Sequence, residues 1–178
     1  AISCITGGAG TGKTTVLNSV LNAYEQLNYN IRAVALSGRA AMRMRQSINR
    51  PSSTIAKFLK EEPLDDIGDK KFLLVIDEGS MLDLPTTFKI IIHLNPNVRI
   101  LLVGDPNQLP PIGAGNVLSD IVNSRIIKNT ELSIVKRQGA GTGIPEYSRL
   151  VNSGIVPSKL TTGSITFHET EPDDIANV

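Results

Sequence analysis

The chain has 178 residues, which is long enough for one domain with a sizeable hydrophobic core. Hydrophobic residues make up 40% of it and charged residues 20%, as is ordinary for a globular protein. The net charge of +1 argues neither for nor against a nucleic-acid partner, so any basic surface must be local. The single cysteine, Cys4, excludes a disulfide framework. We expect it to be a small buried core residue in a protein of a reducing compartment.

No apolar run reaches the roughly 18 residues that a membrane-spanning helix needs. The first residues, AISCITGG, lack the basic region and the cleavage site of a signal peptide. We therefore expect a cytoplasmic protein that does not contact a membrane. Because the sequence starts abruptly at an apolar strand, we also expect it to be a fragment of a longer protein.

The stretch from Gly7 to Thr15, GGAGTGKTT, fits the phosphate-binding pattern G-x-x-x-x-G-K-[ST]. Apolar residues before it predict the end of a buried strand, and apolar residues at helical spacing follow from Val16 to Leu27. The alternative is a glycine-rich loop in a generic turn. The strand before the loop and the helix after it favour the phosphate-binding interpretation.

This loop predicts a site for a nucleoside triphosphate. Glycines let consecutive N–H groups point at an anion, and the following helix directs the positive end of its dipole to the same place. Lys13 is expected to neutralise β- and γ-phosphate charge, and Thr14 to ligate Mg²⁺. The predicted nucleotide-binding residues are Gly8, Ala9, Gly10, Thr11, Gly12, Lys13, Thr14 and Thr15.

A strand over Ile31–Leu36 and a helix over Arg39–Ser47 are predicted next. We expect Ser52 or Ser53 to cap a short helix after them, because serine hydroxyls accept hydrogen bonds from the first free N–H groups of a helix. The segment 61–71 is charged and contains proline and glycine, which is typical of a surface loop.

The second half of the chain continues the alternation of strands and helices. The run Phe72–Ile76, FLLVI, is too apolar for a half-exposed strand and predicts the centre of a parallel sheet. A helix capped by Asp83 is expected to run to about His93. We expect His93 and His168 to be surface residues. Further elements are predicted in the order strand over 98–103, helix over 116–123, strand over 131–135 and helix over 145–152. Together they predict an α/β fold, a parallel sheet with helices on both faces.

Two acids follow directly on the apolar strand. Nucleotide hydrolases place a carboxylate that holds Mg²⁺ at this position, with a second one beside it. Asp77 is therefore the predicted metal-side acid, and Glu78 the base that orients and deprotonates the attacking water. The alternative is a strand that ends in two acids which cap the next helix.

The segment 104–115, GDPNQLPPIGAG, also follows a buried strand. Polar residues at neighbouring strand ends meet at one edge of a doubly wound sheet. Gln108 is then expected to touch the γ-phosphate, and Asp105 to support the metal or the loop. The alternative is a connector, rich in proline and glycine, that has no function of its own.

Three segments together resemble the helicase motifs of superfamily 1 DNA helicases, namely LLVIDEGSMLD, LLVGDPNQLPPIGAGNVL and SIVKRQ. The nearest branch is the RecD type, the alpha subunit of exodeoxyribonuclease V and its relatives, which include helicases of conjugative relaxases. The resemblance runs from Gly7 to about Gln138, and GDPNQLPPIGAG is its most specific part. It implies the first RecA-like motor domain of a P-loop NTPase that uses ATP to step 5′→3′ along single-stranded DNA and unwind duplexes.

The resemblance also implies roles for single residues. Arg137, in KRQ, matches an arginine that stabilises transition-state charge at the γ-phosphate. Lys13 and Thr14 match the phosphate and Mg²⁺ residues, Asp77 and Glu78 the metal acid and the base, and Gln108 the γ-phosphate sensor. Two segments match DNA-binding stretches, with Ser37 and Arg39 in the first and Ser53 and Thr54 in the second. For Arg39, Arg43 and Arg45 a solvated helix face is the alternative.

The chain departs from the RecD pattern at two places. Ala56 stands where relatives usually have histidine, and only the short segment 61–71 is available where relatives carry a strand-separating pin. The second motor domain has no counterpart after Ile165. We therefore expect one RecA-like domain over 1–178 with a peripheral extension over 139–178. On its own, this fragment is expected to be an incomplete enzyme. Its expected partners are single-stranded DNA and other subunits of a recombination nuclease.

Two other classes of protein are considered. One is a DNA-binding module that kept the fold and lost turnover. The intact catalytic set argues against it, namely Lys13, Thr14, Asp77, Glu78 and Arg137. The other is a P-loop phosphotransferase or GTPase that acts on a small molecule. Membership of that class would not account for the segment GDPNQLPP, and the chain lacks the N-K-x-D motif that recognises guanine.

Overall fold

Six parallel strands form one sheet with helices on both faces, which confirms the predicted α/β class. The computed structural model describes residues 1–61, 63–64, 67–68, 70–134, 143–161 and 163–169. The chain divides into two units, one over Ala1–Ile134 and the other over Val135–Val178. The first unit carries the sheet.

Apart from the short strand Ser52–Thr54, which the sequence did not predict, the elements follow in the predicted order with shifted ends. The strands are β1 (Ile2–Gly7), β2 (Tyr29–Ala35), β3 (Ser52–Thr54), β4 (Lys71–Asp77), β5 (Arg99–Gly104) and β6 (Lys128–Leu132). The helices are α1 (Lys13–Gln26), α2 (Gly38–Ile48), α3 (Ile55–Phe58), α4 (Leu84–Ile92), α5 (Val117–Ser124) and α6 (Ile144–Asn152). A 3₁₀ turn covers Gly79–Met81, and α6 belongs to the second unit. None of the helices in the described part of the chain is both long enough and apolar enough to span a bilayer.

The sheet buries both of its faces, and strand β4 shows how. Neighbouring residues of a strand point to opposite faces. Leu73 and Val75 pack with residues of α1 and α2, whereas Leu74 and Ile76 pack with residues of α3, α4 and α5. The two cores explain why this strand is apolar at every position from Phe72 to Ile76. Cys4 is buried in the second core, as expected, and burial raises the pKa of its thiol to about 11.

The strand order β3-β2-β4-β5-β1-β6 places β1 and β5 side by side. After β1 the chain continues into α1 on one face, and after β5 it continues towards α5 on the other face. Connections that leave neighbouring strands for opposite faces open a crevice at the carboxyl ends of the strands, where α/β proteins bind their ligands. The topology therefore gives this edge of the sheet a binding crevice.

Two predictions about local structure were wrong. The short helix α3 is capped by Thr54, the last residue of β3, whose Oγ1 accepts a hydrogen bond from the N–H of Lys57 at 3.1 Å; Ser52 and Ser53 lie earlier in the strand. The last strand of the sheet covers Lys128–Leu132 instead of 131–135. It is an edge strand with a mostly polar sequence, so no apolar run marks its position.

The assignment of His93 to the surface was also wrong. Its residue is only 8% exposed, and its ring packs edge-on against Phe58 with the centroids 5.0 Å apart. His93 follows the buried Ile90 by three residues, which is the spacing of neighbours on one side of a helix. Ile67, within the predicted surface loop, is buried as well. His168 is exposed, as expected.

Arg50 joins α1 to the end of α2. Its guanidinium donates two hydrogen bonds of 2.8 Å to the carboxylate of Glu25 and further ones to the side-chain oxygens of Asn18 and Asn22. Another, 2.7 Å long, goes to the carbonyl of Ile48. The Arg50 side chain is 15% exposed, so these bonds form in a partly desolvated place. They fix the two helices that cover one face of the sheet.

Replacing Arg50 should therefore cost stability. We expect Arg50→Ala to lower the free energy of unfolding by about 1–3 kcal/mol, because the partly buried oxygens of Asn18 and Ile48 lose their donor together with the bonds to Glu25 and Asn22. Urea unfolding of both proteins measures the difference. The control is Arg32→Ala, since Arg32 is exposed on β2 and its loss should change stability by less than about 0.5 kcal/mol. Equal effects of the two substitutions would contradict the role of Arg50.

Candidate active site

The loop between β1 and α1 has the backbone that the glycine pattern predicts. A Cβ on Gly7 would lie 2.5 Å from the carbonyl oxygen of Leu132, so the neighbouring strand β6 requires glycine at this position. Gly12 adopts φ 90° and ψ 19° just before α1, a left-handed conformation that strains other residues. The loop therefore enters α1 through a turn that depends on glycine, and Thr14 and Thr15 stand exposed in the first turn of the helix.

Lys13, the first residue of α1, folds back over the loop. Its ammonium group donates hydrogen bonds to the carbonyl oxygens of Gly7 and Gly8, the second at 2.9 Å. Burial lowers the pKa of Lys13, while the negative charges of Asp105 and Asp77 oppose the shift. The loop thus holds a partly desolvated cation beside two acids. An anion that enters the loop would stabilise this partly desolvated cation.

Asp77 lies at the carboxyl end of β4. Its Oδ1 accepts a hydrogen bond of 2.9 Å from the N–H of Glu78. Burial raises the pKa of Asp77, whereas this hydrogen bond and the charges of Lys13 and Arg43 act in the opposite direction. Burial disfavours the charged carboxylate more than its neighbours stabilise it, so a further cation beside Asp77 would stabilise the charge.

Glu78 follows in a conformation that is unusual for its residue type. Its backbone is left-handed, with φ 55° and ψ 37°, which costs about 1–2 kcal/mol in a residue other than glycine. Its Oε1 accepts a hydrogen bond of 2.8 Å from Nη2 of Arg43 on α2. Strained residues of this kind cluster at functional sites, where the surrounding structure holds them in place.

Asp105 and Gln108 follow β5, the strand that lies between β4 and β1. Asp105 is buried, and its carboxylate accepts hydrogen bonds from the N–H of Asn107 at 3.1 Å and from Nε2 of Gln108 at 3.3 Å. A Cβ on Gly8 would stand 3.9 Å from Oδ2 of Asp105, so this carboxylate reaches the phosphate-binding loop. Gln108 itself is exposed, with its amide held on Asp105.

The predicted DNA-binding hydroxyls have structural roles of their own. Oγ of Ser37 accepts a hydrogen bond of 3.1 Å from the N–H of Ala40 and caps α2. Thr54 caps α3 in the same way, and Ser53 is half-buried in β3. Arg39 is exposed on the first turn of α2. Both caps lie at the carboxyl ends of β2 and β3, and so at the same edge of the sheet as the loop.

The structure brings Lys13, at the start of α1, within electrostatic reach of Asp77 and Asp105 at the carboxyl ends of β4 and β5, and Glu78 is next to Asp77. Arg137 lies outside the described residues. In the described ranges, no group of three or more His, Cys, Asp and Glu side chains could hold a metal ion. This donor set suits Mg²⁺, which in proteins binds through one or two carboxylates, substrate phosphates and water.

Sequence reasoning missed the ion pair between Arg43 and Glu78. The two residues are 35 positions apart and become neighbours only because β2 pairs with β4. The four-residue spacing of Arg39 and Arg43, which puts both on one side of a helix, was a signal in the sequence for a shared role.

The family profile described as AAA domain matches residues 1–169 of the chain. The chain belongs to this family. The profile covers the phosphate-binding loop, the acidic pair and the segment after β5, so the family assignment includes the whole candidate site.

Individual relatives narrow the assignment to the RecD type. The chain is 30% identical over 174 residues to the ATP-dependent RecD2 DNA helicase of Deinococcus radiodurans, covering 95% of this chain and 24% of that protein. It is 33% identical over 150 residues to the RecBCD enzyme subunit RecD of Haemophilus influenzae, covering 67% of this chain and 23% of that protein. The chain is a RecA-like domain of the RecD type of superfamily 1 helicases, and it spans about a quarter of the length of these relatives.

A solved structure supports the fold. The Pif1 helicase from Candida albicans superposes with a TM-score of 0.62 at 20% identity, covering 89% of this chain and 42% of that one. At this identity the likeness concerns the fold alone, and it agrees with the six-stranded parallel sheet. The predicted P-loop, RecA-like α/β fold is confirmed.

The RecD-type domain should be more stable without the charge of Asp77. Because its pKa is higher in the folded than in the unfolded state, ionisation of Asp77 costs stability, and this cost appears as the pH rises through the acidic range. We expect Asp77→Asn to raise the melting temperature of the nucleotide-free protein at pH 7. The gain should shrink as the pH falls toward the ordinary Asp pKa of about 3.9.

Thermal unfolding across that pH range measures the effect. Asn keeps the oxygen that accepts the N–H of Glu78, so the substitution tests the charge and not the hydrogen bond. If Asp77→Asn has a lower melting temperature at pH 7 than the unchanged protein, the negative charge of Asp77 stabilises the fold and the prediction is wrong.

Proposed function

We propose that this chain is the ATP-binding motor domain of a DNA helicase. In the full-length protein it would couple ATP hydrolysis to 5′→3′ translocation on single-stranded DNA and to duplex unwinding in recombination or repair. The observation that carries the proposal is the position of Lys13, which is held on the phosphate-binding loop within electrostatic reach of Asp105 and Asp77, with Glu78 next to Asp77. Membership of the RecD type supports the same activity.

Binding of ATP starts with a change of partners at Lys13. Its ammonium group bonds carbonyl oxygens of the loop, which are weaker partners than phosphate oxygens because they carry no full charge. We propose that Lys13 leaves Gly7 and Gly8 and binds the β- and γ-phosphates. Free N–H groups of the loop and of the first residues of α1 complete the anion site.

Mg²⁺, when bound with the nucleotide, neutralises charge on the phosphates. We propose that the hydroxyl of Thr14 and the carboxylate of Asp77 hold it. Thr14 is exposed in the first turn of α1, and the burial that raises the pKa of Asp77 is a cost that a cation would offset.

Glu78 is the proposed general base. It would orient the attacking water and accept its proton, which requires a carboxylate oxygen within hydrogen-bonding distance of that water. We propose that Gln108 contacts the γ-phosphate, since its amide hydrogen-bonds a carboxylate that reaches the loop. Arg137 is proposed to stabilise the charge that develops on the γ-phosphate.

Single-stranded DNA is the proposed polymer substrate. Ser37, Arg39, Ser53 and Thr54 are the proposed contacts. They lie at the same sheet edge as the nucleotide, with the DNA at the carboxyl ends of β2 and β3 and the nucleotide at those of β4, β5 and β1. The backbone N–H groups at the starts of α2 and α3 can bind phosphates together with these side chains.

The remaining expectations are proposals about the full-length protein. We propose that it works in the cytoplasm, alone, as a subunit of a recombination nuclease, or as the helicase of a conjugative relaxase. Within it, the present chain would supply one ATPase domain with a peripheral extension over 139–178, and hydrolysis would need further parts of the protein. The buried thiol of Cys4 suits a reducing compartment.

Two substitutions separate binding from turnover. Glu78→Gln should still bind ATP but lose most of its hydrolysis, by about 10²–10⁴-fold, because the shape remains and the base is gone. Lys13→Ala should lose ATP affinity as well, while its helix survives since alanine favours helices. Calorimetric titration with a non-hydrolysable ATP analogue measures binding, and steady-state hydrolysis by the full-length protein measures turnover.

The same experiment tests the rival classes. If Glu78→Gln hydrolyses ATP at the unchanged rate, Glu78 is not the base. An unsubstituted full-length protein without DNA-stimulated hydrolysis would favour a binding module that has lost turnover. Displacement of the ATP analogue by GTP at equal concentration would favour a phosphotransferase or GTPase.

A further inference from the structure

The candidate base is joined to the helix that carries the first proposed DNA contacts. Nη2 of Arg43 on α2 donates a hydrogen bond of 2.8 Å to Oε1 of Glu78. The side chain of Arg43 is 62% exposed, whereas that of Glu78 is 32% exposed. One end of this ion pair is therefore open to a ligand from solvent, and the other belongs to the active site.

Arg43 shares a helix side with Arg39. The two residues are four positions apart on α2, both are exposed, and Ser37 caps the same helix just before them. A strand of nucleic acid that binds Arg39 would bring its next phosphates towards Arg43. A phosphate can accept two parallel hydrogen bonds from a guanidinium, so it competes well with a carboxylate that accepts one.

The pair also limits what Glu78 can do. A general base needs a carboxylate oxygen directed at the water that it deprotonates. In this conformation Oε1 is held towards α2 by Arg43, and the left-handed backbone of Glu78 is anchored by its N–H on Asp77. Release of Arg43 would free the side chain of Glu78 while its backbone stays in place.

We propose that Arg43 is a positioning residue, which retains Glu78 on α2 in the absence of DNA and releases it when a DNA phosphate binds the guanidinium. The inference rests on the proposed function, because it takes Glu78 as the base and α2 as a DNA contact. It makes the ion pair the link through which single-stranded DNA stimulates ATP hydrolysis.

The test is Arg43→Ala in the full-length protein, assayed for steady-state ATP hydrolysis with and without a single-stranded oligonucleotide. Without DNA, kcat should rise about two- to fivefold, the size expected for the loss of an exposed ion pair, and the KM for ATP should stay the same. The stimulation by saturating DNA should fall by the same factor. Arg43→Lys keeps the charge but loses the two-pronged geometry of the guanidinium. Its DNA-free kcat should lie between those of the unchanged protein and Arg43→Ala.

The control is Arg32→Ala, which removes an exposed arginine from β2 and should leave both the DNA-free kcat and the stimulation unchanged. Thermal unfolding of each variant shows whether the fold is intact. A structural role alone would lower kcat with and without DNA, whereas the proposed role raises it only without DNA.

The outcomes distinguish this inference from the proposed function. If Glu78→Gln abolishes hydrolysis but Arg43→Ala behaves like Arg32→Ala, or lowers both rates, the inference is wrong and the function stands. If Arg43→Ala only raises the DNA concentration needed for half-maximal stimulation, Arg43 is a DNA contact and not a positioning residue. If Glu78→Gln retains full turnover, the proposed function itself fails.

Discussion

The candidate site depends on one partly buried cation. The ammonium group of Lys13 is held by carbonyl oxygens of Gly7 and Gly8, at a place where burial lowers its pKa and the charges of Asp105 and Asp77 support it. The two acids come from the ends of different strands, and the loop comes from a third. Without the cation, the carboxylates of Asp105 and Asp77 would lose a nearby positive charge, and the loop would have no cationic side chain to bind phosphates.

The sheet order provides this arrangement. β1 lies between β5 and β6, so the loop after β1 is flanked on one side by Asp105 and on the other by the backbone of Leu132, which leaves no room for a side chain on Gly7. On the far side of β5, β4 brings Asp77 and Glu78 to the same edge. β2 pairs with β4 and thereby places α2, with Arg43, beside the acidic pair.

Motifs and apolar periodicity predicted the strand–loop–helix unit, the buried strands and the position of the acids, because each signal is local in the chain. They did not predict features that arise from pairing between distant segments. Ser52, Ser53 and Thr54 can all cap a helix chemically, and it is the pairing of β3 with β2 that leaves Thr54 at the cap. Likewise, the contact between Arg43 and Glu78 requires a strand order that the sequence does not display. The edge strand β6 was misplaced since its polar residues resemble a loop.

The central claim is that Lys13 and the strand-end acids form a site for a nucleoside triphosphate. A crystal structure of this RecD-type domain with Mg²⁺ and a non-hydrolysable ATP analogue tests it most directly. We expect the ammonium group of Lys13 to leave the carbonyls of Gly7 and Gly8 for the β- and γ-phosphate oxygens, with the cation between Thr14 and Asp77. Phosphates bound elsewhere on the domain, or a Lys13 that keeps its bonds to the loop carbonyls while the nucleotide is bound, would contradict the claim.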